Sequence, residues 1–204
     1  MGFPKSMTGR RSFGRRGASV FTRFAVLACV SALLGSAPQP ARAVDGIALE
    51  LGEDAVSNAK VNLVRFGAQW TWNKRWFESD DWHVGGYWDL QGGYWDNRST
   101  NATNSGLWEI AITPVFRLQQ NHLSGFSPYA EIGVGAHLIS ETSVTPQRQF
   151  GTALQFGSHI GVGARFGAKD AYEFGYRYQH LSNASIKKPN NGINFHILRL
   201  GYWF

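Results

Sequence analysis

The stretch Tyr172-Glu173-Phe174-Gly175-Tyr176-Arg177-Tyr178-Gln179-His180-Leu181-Ser182 sets aromatic against polar or small side chains, residue by residue. A period of two is that of a β-strand, whose successive side chains leave opposite faces, so Tyr172, Phe174, Tyr176 and Tyr178 share one face. His180 and Ser182 continue that face. Further on, Asn194 and His196 share parity with Leu198, Leu200, Tyr202 and the terminal Phe204. Paired as an antiparallel hairpin, the two runs bring a histidine, a hydroxyl and an amide to one end of an apolar wall. His-x-Ser on one strand face separates the two Cα atoms by about 7 Å, a gap that side chains close. A serine becomes a nucleophile when a neighbouring base takes its proton and a third group fixes the tautomer of that base. The hairpin carries the parts of an activated serine.

Upstream, the alternation repeats. Ile47, Leu49 and Leu51 oppose Ala48, Glu50 and Gly52; Val64, Phe66, Ala68, Trp70 and Trp72 oppose Arg65, Gly67, Gln69 and Thr71. Four more runs follow: Val84 to Tyr94, Trp108 to Leu118, Ala130 to Leu138 and Leu154 to Ala164, the second of them interrupted by Pro114. With the final hairpin this predicts eight strands. A soluble sandwich also alternates, but it turns its polar face to water. Here the apolar face is weighted towards Trp, Tyr and Phe near strand ends, as in the interfacial girdles of membrane barrels. The other face is glycine and isolated charges of both signs: Glu50, Arg65, Asp89, Glu109, Arg117, Glu131, Arg165, Glu173, Arg177 and Arg199. Such charges can pair across a narrow lumen, and closure removes edges that lipid could not satisfy. The fold expected is all-β: an eight-stranded antiparallel transmembrane barrel of the outer membrane.

The connections alternate as well. Glu78-Ser79-Asp80-Asp81, the stretch around His122 and Gly125, and Gly167-Ala168-Lys169-Asp170 read as short turns. Asn97 to Ser105, Ser140 to Gln149 and Asn183 to Gly192 read as longer polar loops. With both termini periplasmic, the longer set falls outside the cell, and His180, Ser182 and Asn194 face lipid at the outer leaflet. The repeated Gly-Val-Gly-Ala at Gly133 and Gly161 precedes no helical pattern, so inward glycine in a small barrel accounts for it better than a nucleotide loop does.

The beginning of the chain has another character. Arg10, Arg11, Arg15, Arg16 and Arg23 precede the apolar run Phe24 to Leu34, and Ala41-Arg42-Ala43 supplies a small-residue cleavage site. This predicts a secretory signal over residues 1–43 and a barrel over 44–204, with Ser36-Ala37 as an earlier alternative site. The apolar run is too short for a membrane-spanning helix. Arg10-Arg11 is read as ordinary charge of the leader. Seven of the 20 Lys and Arg residues lie in this leader and none of the 14 acids do, leaving 13 cations against 14 acids. The basic character belongs to the leader, so nucleic-acid binding loses its main support. Cys29, the one cysteine, also lies there, which leaves the remainder without disulfide or thiol chemistry.

The stretch His180-Leu181-Ser182-Asn183, with a third polar residue at Asn194, resembles the signature of the outer-membrane lipid A 3-O-deacylases, the PagL family. The resemblance covers the last quarter of the chain closely and the rest as a barrel pattern. It implies that His180 is the base, that Ser182 is the nucleophile, and that the substrate is the ester-linked 3-hydroxyacyl chain at position 3 of lipid A. The family usually has Glu where this chain has Asn194, which can orient a histidine but lacks the charge that would stabilise its imidazolium. Asn183 and Asn190 either donate amides to a developing oxyanion, as the resemblance suggests, or serve the turn. Lys187 and Lys188 either meet lipid phosphates or form a solvated pair. His137 and His159 read as lumen hydrogen-bonders, and His196 as a neighbour of the site; none has a partner at metal-ligand spacing. The expected partners are lipopolysaccharide and outer-membrane lipids, with a homodimer as the assembly that family precedent suggests. No metal or cofactor is expected. The rivals are a non-catalytic small outer-membrane barrel serving adhesion or envelope structure, or an inactive homologue that has lost its acid at Asn194, and a lipid A acyltransferase.

Overall fold

Strands that alternate in this way bury a polar side and leave an apolar one outside. The computed structural model, which describes residues 43–55, 60–122 and 124–204, closes them into a barrel. The barrel strands are β1 (Gly46–Asp54), β2 (Val61–Thr71), β3 (Trp82–Asn97), β4 (Gly106–Gln120), β5 (Phe126–Ile139), β8 (Leu154–Phe166), β9 (Tyr172–Ser182) and β10 (Ile193–Trp203). Between β5 and β8 lies a small hairpin, β6 (Ser143–Thr145) and β7 (Arg148–Gln149). Each barrel strand pairs antiparallel with its neighbours in the order β1-β10-β9-β8-β5-β4-β3-β2, and β1 closes on β10. The leader expected over residues 1–43 lies, except for its last residue, outside the described residues.

The strands run longer than the alternating cores, because hydrogen-bonded ladders continue past the apolar belt. Pro114 does not end β4. It sits at a place where the β4–β5 ladder skips from Ile112↔Ala136 to Val115↔Gly133 without changing register, since proline lacks the N–H a rung needs. The turn expected at Glu78–Asp81 is part of a longer connection over residues 72–81, in which Trp76 folds back to bridge Val84.

Outside, the belt is apolar, with Phe126 63%, Tyr172 52% and Trp108 67% exposed. An apolar surface of this extent suits lipid rather than water. Inside, the expected charges are buried and paired. Arg65 meets Glu109 at 2.8 Å and Glu50 at 3.3 Å; Arg117 meets Glu131 at 2.7 Å and Glu173 at 3.0 Å. Arg177 reaches Glu131 at 2.6 Å and Glu50 at 2.5 Å, and Arg199 reaches Glu50 at 2.8 Å and Glu173 at 2.9 Å. Asp89 lies 3.2 Å from both Arg177 and Arg199. Charges removed from water need this multiplicity of partners to offset desolvation. His137 joins the network through Glu109 at 2.6 Å. Arg165 does not: it lies half-buried near the short-turn end, donates to the Asp170 carbonyl at 2.9 Å and covers the ring of Trp203.

One end of the lumen departs from the polar expectation. Val61, Leu63, Trp95, Leu107, Ile139, Leu181, Ile193, Phe195 and Ile197 all point inward at the long-loop end, and Val144 and Phe150 fold over them from the loop. An apolar plug therefore caps the charged network. It gives the loops above it a fixed floor, and the site rests on that floor.

Candidate active site

The β9–β10 pairing sets Asn194 directly opposite His180. Both face outward, as parity predicts: His180 is exposed and Asn194 half-buried, while Leu181, Ile193 and Phe195 between them are buried in the plug. The His180 Nδ1 and Asn194 Oδ1 are 2.7 Å apart. With the amide oxygen as acceptor, Nδ1 carries the hydrogen and Nε2 the lone pair, which is the tautomer a general base requires. Ser182, half-buried, stands two residues along the same face at the last position of β9.

The loop after Ser182 turns at once. Asn183 accepts at its carbonyl from the Ile186 N–H at 3.0 Å, with Ala184 and Ser185 at φ 52° and 62° between them. Two non-glycine residues in the left-handed region cost energy, and such cost is retained where surrounding contacts over-determine it. Those contacts are present. Asn183 is fully buried; its backbone N–H donates to Asn190 Oδ1 at 3.0 Å and its Nδ2 to the Lys187 carbonyl at 2.6 Å. Asn190 bridges Phe150, and Gln149 and Asn191 exchange two hydrogen bonds at 3.1 and 3.2 Å.

Arg148 completes the clamp. It donates to the Gly192 carbonyl at 3.2 Å and pairs with Asp54 of β1 at 3.7 Å. Gly192 has φ 64°, and a Cβ there would lie 2.9 Å from His180 Cε1, so only glycine lets the chain pass the imidazole. Arg148 and Gly192 escaped the sequence reading, because a loop-to-loop contact leaves no periodic signal.

The face around His180 holds further polar groups. Ser158 of β8 lies directly opposite His180 on the side away from Asn194 and is exposed. Its place depends on the β8–β9 register, which parity alone does not fix. One row below, His196 Nδ1 and Tyr176 Oη are 2.5 Å apart, and Glu53 of β1 is the partner of His196 across the other ladder. Lys187 and Lys188 are exposed at the rim. Of the expected residues, His180, Ser182, Asn194 and Asn190 thus gather at the outward face and its rim. Asn183 turns into the barrel mouth, where its backbone N–H and one Nδ2 hydrogen are held by the loop. Among the described residues, no group of three or more His, Cys, Asp or Glu side chains is placed to hold a metal ion.

A family model described as Lipid A 3-O-deacylase (PagL) matches residues 62–203. The lipid A deacylase PagL of Pseudomonas aeruginosa is 33% identical over 134 residues, covering 66% of this chain and 73% of that protein. The lipid A deacylase PagL of Bordetella bronchiseptica is 40% identical over 98 residues, covering 48% of this chain and 51% of that protein. A crystal structure of the outer membrane enzyme PagL superposes with a TM-score of 0.68 at 28% identity, covering 78% of this chain and 99% of that one.

Proposed function

The chain belongs to the lipid A 3-O-deacylase (PagL) family, and we propose that it is a serine esterase that releases the 3-hydroxyacyl chain from position 3 of lipid A. It is an outer-membrane barrel whose polar cluster opens on the surrounding lipid. The observation that carries the catalytic assignment is the 2.7 Å contact of His180 with Asn194, on the lipid-facing side and two residues from Ser182.

In the proposed reaction the Nε2 lone pair of His180 takes the Ser182 proton as Oγ attacks the ester carbonyl. The negative charge that develops on the carbonyl oxygen is met by amide donors. Asn190 is suited to this, since its Oδ1 is occupied by the Asn183 N–H and its Nδ2 remains to donate. Asn183 holds the turn. The C–O bond then breaks, His180 returns the proton to the departing sugar oxygen, and an acyl-serine remains. Water, deprotonated by His180, hydrolyses it and frees a 3-hydroxy fatty acid. Lys187 and Lys188, exposed at the rim, are proposed to meet head-group phosphates.

The test is to incubate purified, refolded protein with lipid A in detergent and quantify free 3-hydroxy fatty acid. Release of the free acid supports hydrolysis, whereas a gain of mass on an acceptor lipid would indicate transfer. Ser158 provides an internal comparison, because it too neighbours His180. Ser158→Ala should keep fatty-acid release within about twofold of wild type; a loss comparable to that of Ser182→Ala would reassign the nucleophile. Gly192→Ala should reduce release by about 10- to 100-fold in a folded barrel, since the added methyl displaces the His180 ring. Heat-modifiable migration on gels checks the fold of each variant.

A further inference from the structure

Glu53 is a carboxylate on the lipid-facing side of a membrane barrel, exposed and following the outward-pointing Ile47, Leu49 and Leu51 of its strand. Its carboxylate makes no ion pair or hydrogen bond among the described residues. An ionisable group in that position is costly and calls for a role with a nearby partner. Its neighbours are fixed by the β1–β10 register. Glu53 stands opposite His196, and the Ala55 N–H donates to the Asn194 carbonyl at 2.8 Å, so Asn194 is the diagonal neighbour of Glu53. Diagonal pairs lie at about 7–8 Å between Cα atoms, within reach of a glutamate.

Asn194 presents a donor for it. Its Oδ1 is taken by His180 Nδ1, which leaves the Nδ2 hydrogens on the far side of the amide from the ring. His196 has its Nδ1 taken by Tyr176, and Glu53, Asn62, Tyr176 and His196 line one outward recess beside the site. We propose that Glu53 supplies from β1 the negative charge that Asn194 lacks, its free carboxylate turning to Asn194 Nδ2 as the His180 imidazolium forms and stabilising that cation through the amide. Glu53 is a positioning residue in this arrangement, one hydrogen bond removed from the base. The inference rests on the catalytic assignment made above.

The experiment is a double-mutant cycle on the purified full barrel, with kcat and KM for fatty-acid release from lipid A measured for wild type, Glu53→Gln, Asn194→Glu and the double variant. Glu53→Gln should lower kcat about tenfold where position 194 is Asn, and by less than about twofold where it is Glu, with KM little changed. An equal loss of kcat in both backgrounds would mark a structural role and overturn the proposal, as would an unchanged kcat or an effect confined to KM. A wild type without activity beside an active Asn194→Glu would also overturn it, while leaving His180 and Ser182 in place. Inactivity of all four folded proteins would remove the catalytic assignment itself.

Discussion

Replacing Ser182 with alanine should reduce release of 3-hydroxy fatty acid by about a thousandfold or more while the barrel folds as before. The size of the effect follows from covalent catalysis: without Oγ there is no acyl-enzyme, and only the oxyanion donors and substrate binding remain. The fold is indifferent to the change because Ser182 lies at the end of β9, half-buried and facing outward, with none of the lumen network attached to it. The matched change His180→Ala should cost a similar factor, and the two together little more than either alone, since base and nucleophile act as one unit. A Ser182→Ala variant that keeps more than about a tenth of wild-type release would exclude serine catalysis at this position.

The largest effect on stability is expected inside the barrel, at Arg177. Its guanidinium contacts Glu131 at 2.6 Å, Glu50 at 2.5 Å, Asp89 at 3.2 Å and the Tyr87 hydroxyl at 2.7 Å. Arg177→Ala removes one cation from among three carboxylates that remain buried, each of which keeps another arginine; complete loss of a buried partner costs about 3–5 kcal/mol, and that figure is the upper bound here. Urea unfolding in detergent micelles, followed by tryptophan fluorescence, should show a midpoint lowered accordingly, while Lys188→Ala at the exposed rim should leave it within error. Arg177→Ala combined with Glu131→Gln should recover part of the loss, because the second change withdraws one of the abandoned charges. A midpoint for Arg177→Ala equal to that of wild type would mean that water or neighbouring arginines compensate fully.

Where side-chain alternation was clean, the fold was legible. Tyr172 to Ser182 and Leu198 to Phe204 carry one apolar and one polar or small face over most of their length, and their parity put His180 and Asn194 on the same surface. The hairpin then needed only its register to set them opposite one another. At the long-loop end the pattern inverts, with polar His180, Ser182, Asn194 and His196 facing out and the apolar residues between them facing in. Leu181, Ile193, Phe195 and Ile197 form the plug under the loops, yet beside outward Leu198 they read as an unpatterned apolar run. Glu53 was missed for a related reason: the alternating core of β1 ends at Gly52, and the strand continues to Asp54 only because β10 extends alongside it. Ser158 and Arg148 reach the site through pairings between segments far apart in the chain, which periodicity cannot report, and Gly192 through the geometry of its turn. The role of Asn183 was not legible for another reason: turn chemistry and oxyanion binding call for the same residue type, and its bonds to Asn190 and Lys187 are local to the loop.

The central claim is that this barrel removes a 3-hydroxyacyl chain from lipid A through Ser182. Its most direct test is the mass spectrum of lipid A from bacteria with unmodified lipid A that express the full chain, compared with the spectrum from cells expressing Ser182→Ala at equal folded-barrel levels. A loss of mass equal to one ester-linked 3-hydroxyacyl group in the first, and none in the second, is the predicted result. Identical spectra from the two, with the wild-type barrel folded in the outer membrane, would contradict the account.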